Sequence, residues 1–254
     1  MSVFGRGGPL QPIAGAARAF GRTAAGMTVD VASGVTRAGE AAVDAAAGRQ
    51  RSSDVLRVQV LILRNETGRE LCATAAVEPA LAAADAILQQ YAGIRVRVVS
   101  SRVVQEIPPP PALDPRANRG LMIDDVLGHT EFYRRHLSDG GPGSALVAAP
   151  VTVVVVRSIA GHTTGCSLGV SADWVITQAA LYDRTNPNTY DETVLAHELG
   201  HALNLPHHRD RGNLMFPESS PPGGVRGTAL TRWQRALIRA NRHVIPGAAT
   251  PPRD

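Results

Sequence analysis

Apolar and polar residues change their spacing along this chain, and each change of period marks an element. From Val55 to Leu63 aliphatic positions alternate with Arg57 and Gln59, the two-residue period of a strand. Glu78-Pro79 then predicts the opening of a helix, with proline at its first position and an apolar stripe of Leu81, Ala84, Leu88 and Tyr91. Ile94 to Val104 alternates Arg95, Arg97 and Ser101 with valines and predicts a second strand. Strand, helix and strand of these lengths imply a right-handed parallel crossover.

Pro108 to Pro111 reads as a surface connection, and Asp124 to Leu137 as a helix carrying Val126, Phe132 and Tyr133. Val151 to Val156 is an unbroken valine-rich run, the pattern of a central strand buried on both faces. Further strands are expected within Cys166–Val170 and Trp174–Thr177. Thr231 and Gln234 form a capping box that opens a last helix, Thr231 to Asn241. Leu230, Trp233, Leu237, Ala240 and Val244 are its expected buried stripe, and Arg232, Arg235, Arg239 and Arg242 its solvated face. Residues 1–53, rich in Ala, Gly and Arg, hold no sustained period and read as a flexible or weakly helical appendage. Residues 54–245 read as one domain, and 246–254 as a tail.

Composition narrows the classes. Of 254 residues 44% are hydrophobic and 19% charged, which excludes a disordered or fibrous chain. The longest apolar runs, such as Ala148 to Val156, fall short of the ~20 residues of a spanning helix, so the chain reads as soluble. Gln11, Pro12, Arg18 and Arg22 interrupt every candidate secretory core, so no signal peptide is recognised. The net charge of +4 is uneven, because six arginines in residues 1–53 face only Asp30, Glu40 and Asp44. With aromatics at 4%, the main domain offers no nucleic-acid face. Two cysteines, Cys72 and Cys166, are too few for a disulfide framework and could form one bridge or stay as buried thiols.

Four of the eight histidines fall between His197 and His208. On a helix, His197 and His201 share one face, with Cβ atoms about 5–6 Å apart, and can point two imidazoles at one metal. Thr189 and Glu192 form a plausible capping box for that helix. His207 lies too far on for a continuing helix. Pro206 forbids one, and Asn204 is the expected turning residue, since helix ends favour a left-handed Gly or Asn. Glu198 stands where a general acid/base would act on a zinc-activated water. Three neutral imidazoles would leave a fourth tetrahedral position open.

His197 to His207 resembles the metzincin zinc motif, with Asn204 in place of the usual glycine. Met215, preceded by Leu214 and followed by Phe216-Pro217, is similar to the Met-turn methionine of the matrixin-like branch. The resemblance implies an α/β (α+β) fold over residues 54–245, with a mixed, mostly parallel five-stranded twisted sheet, three main helices and an active-site cleft. It implies a zinc metalloendopeptidase with one catalytic Zn2+ on His197, His201 and His207, Glu198 as general acid/base, and Met215 as the floor. It also implies an extended peptide or protein substrate on an edge strand within Gly165–Asp173, and an extracellular setting. His208 departs from the known subfamily signatures. No tyrosine is placed as a fifth ligand, no cysteine-switch segment is present, and calcium sites, possible in matrixins, are not identifiable.

The alternative is a catalytically silent zinc-containing module that binds proteins. A gluzincin-like peptidase fits less well, because its third ligand is a distant glutamate. His129 and His136, seven apart, read as a solvated helix face, His208 as a rim residue and His162 as part of a loop. The appendage is open to roles in loading, export, inhibition or contact with a partner.

Overall fold

In the computed structural model the described residues are 28–40, 42–44, 46–47, 50–117, 120, 123–124, 130–136, 148–160, 165–167, 173–219, 221 and 224–250. Helix α1 (residues 28–40) precedes β1 (Gln50–Arg51), β2 (Asp54–Ile62), α2 (Thr74–Ala92), β3 (Ile94–Val103), α3 (Pro110–Leu113) and α4 (Glu131–His136). Then follow β4 (Val151–Val156), β5 (Gly165–Ser167), β6 (Trp174–Gln178), a 3-10 turn (Ala179–Tyr182), α5 (Val194–Ala202), α6 (Arg232–Ala240), β7 (Val244–Ile245) and β8 (Ala249–Thr250).

The main sheet runs β3-β2-β4-β6-β5. Its first four strands are parallel, and β5 closes the edge antiparallel to β6. This is the mixed, mostly parallel five-stranded sheet expected. β4 pairs with Val58–Ile62 of β2, and β7 pairs antiparallel with Val55 and Leu56, extending the sheet at that end. All six residues of β4 are buried, as its valine run predicts.

The two-residue period of the strands divides the interior. Leu56, Val58, Val60, Ile62, Val151, Val153, Val155 and Val175 pack with α2 and α5 on one face. Leu61, Val154, Val156, Trp174 and Ile176 meet Phe132 and Tyr133 of α4 on the other. Helix α5 lies against α2 and over β6 and the edge strand β5. Among the described residues no helix is long and apolar enough to cross a membrane.

Three local expectations are corrected. Helix α2 begins at Thr74, so Pro79 lies inside it. The added turn buries Val77 completely, and an alanine-rich sequence tolerates the one backbone bond that proline forgoes. The chain leaves α2 through Gly93 at φ 68°, where a side chain would be strained. On α6 the capping box of Thr231 and Gln234 forms, yet the inward residues are Gln234 and Ile238, while Trp233 and Leu237 are exposed. Arg242 is buried rather than solvated. Within Asp124–Leu137, described helical residues are 124 and 131–136; Val126 and His129 lie outside the described residues.

Candidate metal centre

Helix α5 is buried at eight of its nine positions, including His197 and Glu198. It starts at Val194, later than the Thr189–Glu192 box predicts. Thr193 is the N-cap, without a side-chain cap bond, and Asp191 forms a turn onto it in place of that box. Its Oδ1 accepts the Thr193 N–H (2.9 Å) and hydroxyl (2.7 Å), while Thr189 bonds instead to the Ala180 carbonyl. Aspartate readily bonds the backbone two residues on, which orders the chain just before the helix.

The helix ends at Leu203 and reverses at Asn204, whose φ is 69°. Asn204 N–H donates to the His201 carbonyl (3.0 Å) and Leu205 N–H to that of Gly200 (2.9 Å), the paired bonds of a Schellman end. The asparagine expected to turn the chain therefore does so. His207 returns towards the helix: a ring nitrogen from each of His197, His201 and His207 lies within 4.8 Å of the others, close enough that the three could share a metal.

Two of the three rings are fixed in orientation. His197 Nδ1 donates to the Leu214 carbonyl and His201 Nδ1 to the Leu205 carbonyl, each at 2.8 Å. A carbonyl only accepts, so the proton sits on Nδ1 and the lone pair on Nε2. His201 Nε2 then lies 3.1 Å from both His197 Nε2 and His207 Nε2. Burial pushes His197 down to about 2, helped by the positive charge of Arg226, and His201 down to about 4. Burial also lowers His207. Neutral imidazoles whose lone pairs converge repel one another unless a cation lies among them. The donor set thus fits a metal, and three imidazoles suit zinc among other transition ions.

Met215 is fully buried beneath this helix, in a turn closed by Phe216 N–H on the Asn213 carbonyl (3.1 Å). A Cβ on Gly200 would lie 2.5 Å from the Met215 sulfur, so the glycine lets the methionine pack close against the helix there. Asn213 and Gln234 exchange amide hydrogen bonds of 2.8 and 3.1 Å, tying the turn to α6. His208 N–H donates to the Met215 carbonyl (2.8 Å), and its ring accepts from Asp210 N–H (3.1 Å), which keeps it in the loop.

Glu198 is 3% exposed. Its Oε2 has no hydrogen-bond partner among the described residues, and its Oε1 abuts Gly165 of β5, where a Cβ would stand 2.3 Å away. Burial pushes its carboxyl up to about 8; Arg226 opposes this and Asp191 reinforces it. Arg226 is itself buried, with Nη2 3.5 Å from Asp191 Oδ2. Gly165, Asp191, Arg226 and Gln234 thus belong to the surroundings of the site. Of these the sequence signalled Gln234, as a cap, and Gly165, as the start of the expected edge strand, but neither Asp191 nor Arg226.

Other candidates stand apart. His136 meets Glu106 (3.2 Å) and packs on Phe132, while His129 and His162 lie outside the described residues. Cys72 is a free, half-buried thiol, raised to about 11 by burial; the Cys166 side chain lies outside the described residues. A cavity of about 1310 Å³ between α1 and α6 includes none of the three histidines in its lining.

No protein-family model matches the chain, and no curated protein does. Among solved structures it is similar to metalloproteinase-II from Bacteroides fragilis, with TM-score 0.47, 15% identity, 75% of this chain and 57% of that one covered. It is similar also to an archaemetzincin from Methanopyrus kandleri, with TM-score 0.42, 16% identity and coverage of 73% and 94%.

Proposed function

We propose that the chain is a zinc-dependent metalloendopeptidase of metzincin type. The observation that carries this reading is the convergence of three imidazole nitrogens, two of them fixed by backbone carbonyls, beside a buried glutamate with a free oxygen. His197, His201 and His207 would hold the metal, with Met215 as the floor and Asn204 as the pivot of the turn. Bound there, zinc supplies a Lewis acid and a water acidic enough to ionise near neutrality.

The remaining work falls to the chain's own groups. In its ionised form Glu198 accepts a proton from the attacking water at Oε2 and later returns it to the leaving amine. The two carbonyl bonds hold His197 and His201 in the tautomer that presents Nε2, so no reorganisation is required during turnover. β5 ends the sheet path, and an extended peptide pairing with it runs past Glu198, since Gly165 brings backbone and carboxyl together.

The test is Glu198→Gln in the full chain, with bound zinc measured alongside cleavage of a proteome-derived peptide library. Zinc should stay stoichiometric while cleavage falls roughly 100- to 10,000-fold. Undiminished cleavage would remove the role given to Glu198. A wild-type protein that binds zinc but cleaves nothing at high concentration would favour the silent binding module, and one without zinc would end both readings.

A further inference from the structure

We infer that Asp30, on helix α1, is a positioning residue for the metal-binding turn, so that the segment before the sheet helps build the site. The inference rests on the proposal that the three histidines hold zinc. Asn204 lies midway between His201 and His207, and its left-handed backbone decides whether His207 faces the other two. That conformation costs an ordinary residue with a Cβ roughly 1–2 kcal/mol, and asparagine enters it more readily because its short polar side chain can hydrogen-bond. Asn204 Nδ2 donates to Asp30 Oδ2 at 2.8 Å, across 174 residues of sequence.

Asp30 is anchored in turn. Its Oδ1 accepts the Arg242 N–H (2.8 Å) and its Oδ2 lies 3.3 Å from the Arg242 guanidinium, which also meets Asp173 at the foot of β6. Asp30 is 8% exposed and the Arg242 side chain 3%, so the carboxylate is buried with its charge matched. Hydrogen bonds to a buried charged acceptor are stronger and more directional than neutral ones. Asp30 thus fixes the Asn204 side chain relative to the sheet.

The way α1 docks agrees with this role. Val31 and Val35 are 69% and 71% exposed, so the helix does not sit on its valines. It approaches α6 through Gly34, where a Cβ would meet that of Ala240 at 3.2 Å, and Arg37 bonds the Arg239 and Val244 carbonyls. Polar contacts hold it: the buried ones tie Asp30 to Arg242, and a part-buried one ends on the metal-binding turn. A segment that merely covered the site would have no bond to its pivot.

The experiment is zinc competition against a chromogenic chelator, with melting of the zinc-free proteins as a control. Asp30→Ala should weaken zinc roughly 10-fold, the low end of the cost of losing a bond to a metal ligand, because Asp30 acts on the ligands through Asn204. Asn204→Asp, which opposes two carboxylates without removing the partner of Arg242, should weaken it at least as much. Glycine takes the left-handed turn unaided, so adding Asp30→Ala to Asn204→Gly should change zinc affinity less than about twofold. Unaltered affinity in Asp30→Ala or Asn204→Asp would overturn the inference, as would an undiminished Asp30→Ala effect in the glycine background. Those failures leave wild-type zinc binding intact, whereas a wild-type protein without zinc would remove the parent proposal.

Discussion

Helices α5 and α6 have the same length, nine residues, and opposite surroundings. Eight positions of α5 are buried and only two of α6, Gln234 and Ile238. On α5 the buried polar residues are His197 and Glu198, the candidate chemistry. On α6 the buried polar residue is Gln234, which holds Asn213 behind that chemistry. A helix enclosed on all sides cannot tilt without disturbing its neighbours, which suits side chains that must converge on one point. A helix buried along one line can still act as a buttress through a single well-placed side chain.

The same kind of substitution in each helix should break this comparison most sharply. Gly200→Val drives new carbon into Met215 and Leu205, both buried, where the nearest atoms lie at 2.5 and 3.6 Å from a Cβ. Overpacking of a closed core should cost about 3 kcal/mol in urea unfolding of the zinc-free protein and weaken zinc as well. Ala236→Val, on the exposed side of α6, should cost about 0.5 kcal/mol, the propensity difference alone. Equal losses would mean that α5 is not held as tightly as its burial implies.

Gln234→Leu tests the buttress. Gln234 Oε1 accepts from Thr231 N–H (2.8 Å) and from Asn213 Nδ2 (2.8 Å), its Nε2 donates to Asn213 Oδ1 (3.1 Å), and leucine keeps the volume while removing these bonds. The helix start and the Asn213 amide lose their partners together, at about 2 kcal/mol. A melting temperature lower by roughly 4–8 °C should result for a domain of this size. A loss confined to cleavage, with no change in melting, would contradict the structural role.

What was legible in the chain follows from sequence distance. His197, His201, Asn204 and His207 could be read because helix period and a left-handed stop act within eleven residues, and β4 because six valine-type positions admit one explanation. The capping box of α6 was legible for the same reason. The supports were not. Asp30 reaches Asn204 across 174 residues and Gln234 reaches Asn213 across 21, and neither has a periodic signature. Local rules also failed where burial overruled them. Pro79 marked a helix start until Val77 needed covering, and the Thr189–Glu192 box gave way to a turn of Asp191 onto the N-cap Thr193.

The smallest expected effect separates pattern from packing. The stripe read along α6 counts Leu237 among its buried residues, and truncating a buried leucine costs about 2–5 kcal/mol. In the fold Leu237 is 39% exposed, because Gln234 and Ile238, four apart, take the inner line instead. Leu237→Gln should therefore cost about 1 kcal/mol or less, read as the urea midpoint of the zinc-free protein at unchanged slope. Zinc affinity should not move, since α6 reaches the turn at Asn213 through Gln234. A cost above about 3 kcal/mol would restore the amphipathic reading and place Gln234 on a partly exposed side. The contrast between the enclosed helix and its buttress would then fail at its weaker end.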